Sequence, residues 1–347
     1  MKAAVYYNNR DVRLEDCPDP VIGPGELKLK VDSCGLCGGD TMEWYLLHKA
    51  PVILGHEPTG IVVEVGEGVT RFKPGDRVFV HHHVGCMSCH YCRRGHFTMC
   101  ENFTKSHIYP CAFAEYIRVP AENVQHDVHL LPDSMSFEEG TLIEPVACVV
   151  KGIKLAGIQP GDTVAVVGSG FMGLNFIQLA RVWGAGRVVA FDFSDWRLDR
   201  ARELGADFGI NSAKNDGLEA LAEINEGRGA DSVVVTANSV KAIEFGLKLA
   251  GKGATVHFFA PPHPDDRLVL NPVDLFFREI TITTTYSCNH IDTAQALRFI
   301  EGGRINAKAM ITHRMGLDRV AEGIALFAKA DQSIKTVIKP SLTAGIG

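Results

Sequence analysis

The segment VAVVGSGFMG, Val164–Gly173, decides how the chain is read. An apolar run enters a turn carrying Gly168, Gly170 and Gly173, and an amphipathic stretch follows. That order predicts a strand, a tight turn and a helix. Gly168 and Gly170 let the backbone approach a pyrophosphate, and Gly173 lets helix and strand pack closely. Phe171 and Met172 lie between the last two glycines and belong to the same phosphate loop, where helix amides meet the anion. The next apolar run, RVVAFD, ends at Asp192, about twenty residues further on, where a carboxylate can accept hydrogen bonds from both ribose hydroxyls. The same carboxylate would repel the 2′-phosphate of NADP, so NAD is the expected cofactor. Arg197 either pairs with a phosphate, softening that preference, or lies on a solvated helix face. A ligand-free βα turn is the plain alternative, and the joint match of strand, glycines, helix and acid weighs against it.

Outward from this loop, ADSVVVTAN and GATVHFFA read as further strands. Each is the continuous apolar run expected of a parallel sheet covered on both faces. Upstream, to about Pro120, the rhythm differs. Short alternating runs such as ELKLKVDSC and GIVVEV, broken by turn residues, predict a compact antiparallel β-domain. The tail from about Ser287 holds a helical stretch, IDTAQALRFIEGG, and ends in QSIKTVIKP.

With 347 residues, about two domains are expected. Hydrophobic residues at 46% and charged residues at 22% are ordinary for a folded chain, and a net charge of -6 offers nothing to phosphate backbones or anionic lipid. Nucleic acid and membrane are therefore not expected as partners. No apolar run approaches the ~20 residues that span a bilayer. The N-terminus lacks the apolar core of a signal peptide, so a cytoplasmic location is expected. Ten cysteines in such a chain point to metal or catalysis before disulfides.

Four of them, Cys86, Cys89, Cys92 and Cys100, lie in CMSCHYCRRGHFTMC. They can converge on one tetrahedral ion whose closed shell of thiolates leaves no position for substrate. The expected role is structural zinc. An iron–sulfur cluster fits less well because the fourth cysteine is misplaced and lacks a following proline. A nucleic-acid ribbon is disfavoured by the acidic whole, and uncoordinated core cysteines are the remaining alternative. A second, dispersed set comprises Cys34 and Cys37 in SCGLCGGD, His56 and Glu57 in GHEPTG, and Glu144 in LIEPVAC. One thiolate, one imidazole and one or two carboxylates leave a coordination position open, as catalytic zinc requires. Asp40 is placed to orient the imidazole of His56.

Taken together, these motifs resemble the zinc-dependent medium-chain dehydrogenase/reductase family, which includes alcohol, sorbitol and threonine dehydrogenases. The resemblance rests on Gly55, His56, Glu57, Gly60, Gly66 and Val69 at the family spacing, on CGLCGGD, the cysteine lobe, Glu144-Pro145, VGSGFMG and KTVIKP. It implies an α/β protein with a GroES-like, β-rich catalytic domain over 1–149, completed by 287–347, and a doubly wound, parallel-sheet Rossmann domain over 150–286. It also implies two zinc ions, one catalytic and one structural. Cys37 and His56 match catalytic zinc ligands, Glu144 matches the carboxylate that polyol-type members place beside zinc, and Glu57 matches one that binds zinc in some states. Cys34 falls outside the ligand position. Lys335 matches a residue reaching the cofactor pyrophosphate, and Thr236 lies near the nicotinamide side. Homodimers or homotetramers are usual in the family.

The implied reaction transfers hydride between a secondary alcohol or ketone, most plausibly a polyol or other polar hydroxy compound, and NAD. Relatives carry Ser or Thr two residues after the ligand cysteine and often His three further on, forming a proton relay. Here those positions are Gly39 and Met42, which leaves Glu57, Thr41, Glu43, His48 or water as the proton route. His81–His83 read as solvated imidazoles at a strand end, with contact to the substrate as the alternative. Two other readings remain: the same scaffold catalysing epimerisation or fragmentation through a transient ketone, and a non-catalytic zinc-containing binding protein.

Overall fold

The computed structural model describes residues 1–329 and 332–345. Residues 330, 331, 346 and 347, part of the tail expected to complete the first domain, lie outside the described residues. The chain divides into two compact units: Met1–Ala147 with Cys288–Gly302 and Ala307–Gly347, and Cys148–Ser287 with Gly303–Asn306.

In the second unit six parallel strands lie in the order Phe208–Asn211, Arg187–Asp192, Thr163–Val167, Ala230–Val235, Ala250–Phe258 and Thr281–Thr284. Thr163–Val167 is buried along its whole length, which is why its sequence shows no alternation. The order reverses between Thr163–Val167 and its neighbour Ala230–Val235, the switch point at which open parallel sheets bind ligands beyond their carboxyl ends. The helix Phe171–Val182 starts there. Gly168 adopts φ +94°, and a Cβ on Gly173 would fall 1.9 Å from the Gly168 carbonyl oxygen. The third glycine is thus required by contact between helix and strand.

The first unit is β-rich. Its larger sheet runs Ile311–Met315, Lys335–Ile338, Leu27–Gly35, Glu57–Val65, Arg77–Val80 and Val128–Leu130, and Tyr116–Val119 also pairs with Leu27–Gly35. Alternation in ELKLKV is explained by the pleat: Leu27, Leu29 and Val31 enter the core while Lys30 faces water. One pair departs from the antiparallel expectation. Ile311–Met315 and Lys335–Ile338 are parallel, joined by a crossover that includes the helix Val320–Lys329. Among the described residues no helix is long and apolar enough to cross a membrane.

The buried His257, on the strand Ala250–Phe258, is pushed down from 6.5 to about 4 by burial, with Thr283 and Thr285 hydroxyls at its ring nitrogens. The folded protein keeps this ring neutral while the unfolded chain protonates it. Stability contributed by the neutral ring is therefore complete above about pH 6.5 and declines towards pH 4, by on the order of 2–3 kcal/mol. Urea unfolding across this range should show a shallower acid loss in His257→Gln than in the parent.

Candidate active site and metal centres

Cys37 follows the strand Leu27–Gly35 by two residues and caps the short turn Gly38–Thr41. Its sulfur accepts from the Gly39 amide at 3.5 Å, and Asp40 Oδ2 accepts from the Cys37 amide at 3.0 Å. The reciprocal cap fixes both side chains at once. Just before the neighbouring strand Glu57–Val65, Gly55 adopts φ +92°, and a Cβ there would strike the Phe113 ring at 2.5 Å. Only glycine allows the turn that presents His56. The His56 Nδ1 then lies 3.3 Å from Asp40 Oδ1, so the buried carboxylate can set the ring's orientation and tautomer.

Donor atoms of Cys37, His56 and Glu57 all lie within 4.8 Å of one another. A thiol, an imidazole and a carboxylate fit a zinc site with a position left open, and His56 keeps 21% of its side-chain surface exposed. Glu57 is fully buried, and its Oε1 receives the Lys335 ammonium at 2.8 Å. A Cβ on Gly35 would overlap this carboxylate, so the glycine makes its space. Burial pushes the Glu57 pKa up, Lys335 pulls it down and Glu144 adds to the upward push, leaving the carboxyl above its usual range. Burial likewise disfavours the Lys335 charge, but Glu57, Cys37 and Glu144 together hold the ammonium above its ordinary value. Lys335 is the larger of two groups favouring the carboxylate, His56 being the other.

The cysteine lobe is a separate centre. Sulfurs of Cys86, Cys89, Cys92 and Cys100 lie within 4.8 Å of one another. Backbone amides of Cys86, Cys89, Cys92 and Asn102 point at these sulfurs from 3.3 to 3.5 Å. Such donors suit thiolates, and the Ser88 amide and hydroxyl hold the Cys86 thiol down to about 6. Among the described residues, Phe97 and Phe103 are the non-cysteine apolar groups in the small cluster around it, a slight core for such a loop. The four residues fit a closed, structural zinc site.

Residues 23–133 match the family model of the alcohol dehydrogenase GroES-like domain, and residues 172–302 match that of the zinc-binding dehydrogenase. The sorbitol dehydrogenase of Bacillus subtilis (strain 168) is 31% identical over 353 residues, covering 98% of both chains. The chain belongs to the zinc-binding medium-chain dehydrogenase family. The L-threonine 3-dehydrogenase of Pyrococcus abyssi is 34% identical over 336 residues, 94% of both chains. A crystal structure from Sinorhizobium meliloti 1021, described as a zinc-binding dehydrogenase bound to NADP, has a TM-score of 0.88 at 30% identity, covering 98% of this chain and 99% of its own. The α/β fold class and the oxidoreductase class read from sequence are those of this family.

In this dehydrogenase the phosphate loop is arranged as a cradle. Asp192 accepts from the amides of Ser169 at 2.8 Å and Ser194 at 2.9 Å, bracing the loop from the next strand. Arg197 reaches the same loop: its guanidinium lies 3.7 Å from where a Gly170 Cβ would be, and its Nε is buried without a hydrogen-bond partner. Phe171 and Met172 open the helix beside Gly170 and Gly173. Thr236, which the resemblance puts near the nicotinamide side, stands just past the strand Ala230–Val235. Its hydroxyl donates to the Gly168 carbonyl at 2.9 Å, clamping the glycine turn to the adjacent strand. Lys335 is buried against Glu57 within the first unit.

Glu144 does not join the trio of Cys37, His56 and Glu57; its carboxylate groups with His81 and His82. Cys34 is wholly buried in the β-rich core. The histidine run corrects the expectation of solvated rings: His81 is inaccessible and His82 is 8% exposed. The chain beyond Arg77–Val80 turns inward, His81 bonding to the buried Asp127 and the His82 ring lying 4.9 Å from that of His56. Nothing in the alternation of RVFVHHH signals this, because the partners come from distant segments.

Replacing Lys335 by Met strands a buried carboxylate and should cost about 3–5 kcal/mol. Glu57→Gln in the same chain should recover most of that loss. Urea unfolding of both variants, with chelator present so that metal cannot compensate, checks the pair.

Proposed function

We propose that the chain is an NAD-dependent dehydrogenase acting on a secondary alcohol, in the class of polyols, sugar-derived alcohols and other polar hydroxy compounds. The observation that carries this is the partly open trio of Cys37, His56 and Glu57, with Asp40 on His56. Zinc held there supplies Lewis acidity towards a hydroxyl or carbonyl oxygen. The chain's own residues do the rest. Asp40 holds the His56 ring in one orientation, and Lys335 pulls the Glu57 pKa down against the burial that pushes it up. A Cβ on Gly39 would meet nothing nearer than Cys37 Sγ and His56 Cε1, each at 3.9 Å, so the site has room where relatives place a relay hydroxyl. That space suits a substrate bringing hydroxyls of its own. Of the alternative proton carriers, Thr41 is bonded to the Gly38 carbonyl, Glu43 accepts from the Asn9 amide, and His48 is exposed. Water beside Gly39 is the route these commitments favour.

Oxidation removes a hydride from the alcohol carbon to the nicotinamide ring and a proton from its hydroxyl to water. The glycine loop and the amides of Phe171–Val182 suit the pyrophosphate. The Sinorhizobium protein was solved with NADP. Here Asp192 stands at the strand end where a ribose 2′-phosphate would meet its carboxylate, which favours NAD. Arg197 beside Gly170 suits a cofactor phosphate. We assign the catalytic domain to 1–149 with 287–347 and the dinucleotide domain to 150–286. Exposed Phe276 and Phe277, in the helix just before the edge strand Thr281–Thr284, support a homo-oligomer, dimer or tetramer. A cytoplasmic location accords with ten free thiols.

NADH formation across a panel of polyols, vicinal diols and 3-hydroxy amino acids tests the reading, and at least one should be turned over. Product formation with only catalytic NAD would instead favour epimerisation or fragmentation, and no nicotinamide binding at all would favour a binding protein. Asp40→Asn should lower activity or zinc affinity about 10–100-fold while NADH binding, followed by its fluorescence, is unchanged.

A further inference from the structure

Beside the trio of Cys37, His56 and Glu57 stands a file of imidazoles that the proposed reaction has not used. The His82 ring lies 4.9 Å from that of His56, His83 lies 4.1 Å from His82, and His107 lies 4.6 Å from His83. All belong to the β-rich unit. His82 is 8% exposed, and His83 is half-buried with the Phe103 ring 5.1 Å from its own.

Neighbouring histidines have their tautomers fixed from behind. His56 Nδ1 faces Asp40, His81 Nδ1 meets Asp127 at 2.6 Å, and His107 Nδ1 meets the Ile108 carbonyl at 2.7 Å. Each of these acceptors holds the proton on Nδ1 and leaves Nε2 as a lone pair. His82 and His83 differ, because the Nδ1 of each is buried without a hydrogen-bond partner. Interior polar groups ordinarily have partners, so two unmet atoms on adjacent rings call for an explanation. Nothing in the fold chooses between the two neutral forms of either ring, and Nε2 can therefore donate or accept as a ligand requires. Burial, and after it the neighbouring His107, holds the His83 pKa down to about 2, so this ring offers an anion no charge. The Lys49 ammonium, which bears on His83 from further out, is exposed and sits over the Tyr45 ring at 3.6 Å.

We infer that His82 and His83 form a subsite that reads substrate hydroxyls, selecting an uncharged polyol that carries at least one hydroxyl beyond the one oxidised. The inference rests on the dehydrogenase reading above and names its substrate class more closely. A neutral imidazole and a hydroxyl are each both donor and acceptor, so a ring with a free tautomer takes either sense of hydrogen bond. Two such rings side by side suit hydroxyls on neighbouring carbons. Because the His82 ring adjoins that of His56, the hydroxyls it reads lie close to the reacting one. A site built to bond a hydroxyl rejects the analogue lacking it far more strongly than an apolar pocket rejects an added hydroxyl.

The test compares matched pairs, xylitol with 2-pentanol and sorbitol with 2-hexanol, on the zinc-loaded full chain. NADH formation gives kcat and KM, and calorimetry in the presence of NADH gives binding. The parent should favour each polyol over its monohydric partner. His83→Phe keeps a ring without nitrogen and should lower polyol kcat/KM about 10–100-fold, chiefly through KM, while the monohydric alcohols change less than about threefold. His83→Gln, whose amide sets a polar atom near the Nε2 position, should recover most of the loss. Circular dichroism checks folding; if His83→Phe is unfolded, His83→Leu and the parent's preference within each pair decide. Equal use of both members of a pair by the parent, equal losses for both in the apolar variant, or a preference for sorbitol 6-phosphate over sorbitol would each overturn the subsite. Any of these leaves the dehydrogenase reading intact. If no alcohol is oxidised, that reading fails, and the subsite is decided by whether xylitol binds the parent and not His83→Phe.

Discussion

A buried ion pair organises the catalytic unit. Glu57 and Lys335 are separated by 278 positions, yet they meet inside the sheet with almost no exposure. Neither charge could remain there alone, because the loss of hydration exceeds what packing returns. The pair therefore requires the strand Lys335–Ile338 to lie beside Leu27–Gly35, which in turn pairs with Glu57–Val65. Cys37 follows the middle strand and His56 precedes the outer one, so the same requirement that brings the two charges together also brings sulfur to imidazole. The unit needs both ends of its chain before its ligands exist as a set.

How much of this was legible in the sequence depends on how local each feature is. The glycine loop was readable because its strand, turn and helix are contiguous and each glycine answers a local demand, Gly173 by contact with the Gly168 carbonyl. The cysteine lobe was readable because all four sulfurs fall within fifteen residues. The dispersed residues Cys37, His56, Glu57 and Glu144 were found through resemblance, since no periodicity links them. What stayed hidden were partnerships between remote segments. Thr236 carries no mark that its hydroxyl clamps Gly168, and Lys335 none that it will face Glu57. The histidine run read as a polar strand end, yet Asp127 and Thr293 meet His81 and its network from two other parts of the chain. Likewise, the parallel pairing of Ile311–Met315 with Lys335–Ile338 depends on a helical crossover that alternation within either strand does not encode.

The absence of a hydroxyl at Gly39 has a structural counterpart. Around it, Thr41 turns to the Gly38 carbonyl and Asp40 is divided between the Cys37 amide and His56. The short turn thus uses its polar side chains to hold the ligand pair and keeps none to receive a substrate proton. Rigidity at Cys37 and His56 comes from that use, and open space beside them is its consequence.

Charge balance in the interior connects these parts. In the first unit Asp40, Glu57, Asp127 and Glu144 are buried, as is Asp292, which serves the cap of the helix His290–Glu301; Lys335 is the buried ammonium among the described residues. Carboxylates therefore outnumber fixed cations in a region where an unpaired charge is far more costly than at the surface. Hydrogen bonds from His129 and Thr293 relieve Asp127, and backbone amides relieve Asp40 and Asp292. Glu144 stands close enough to Glu57 to disfavour its charge, and the Lys335 ammonium opposes that push. Imidazole and thiol donors surround this excess of negative charge, and a divalent cation held among them would offset it.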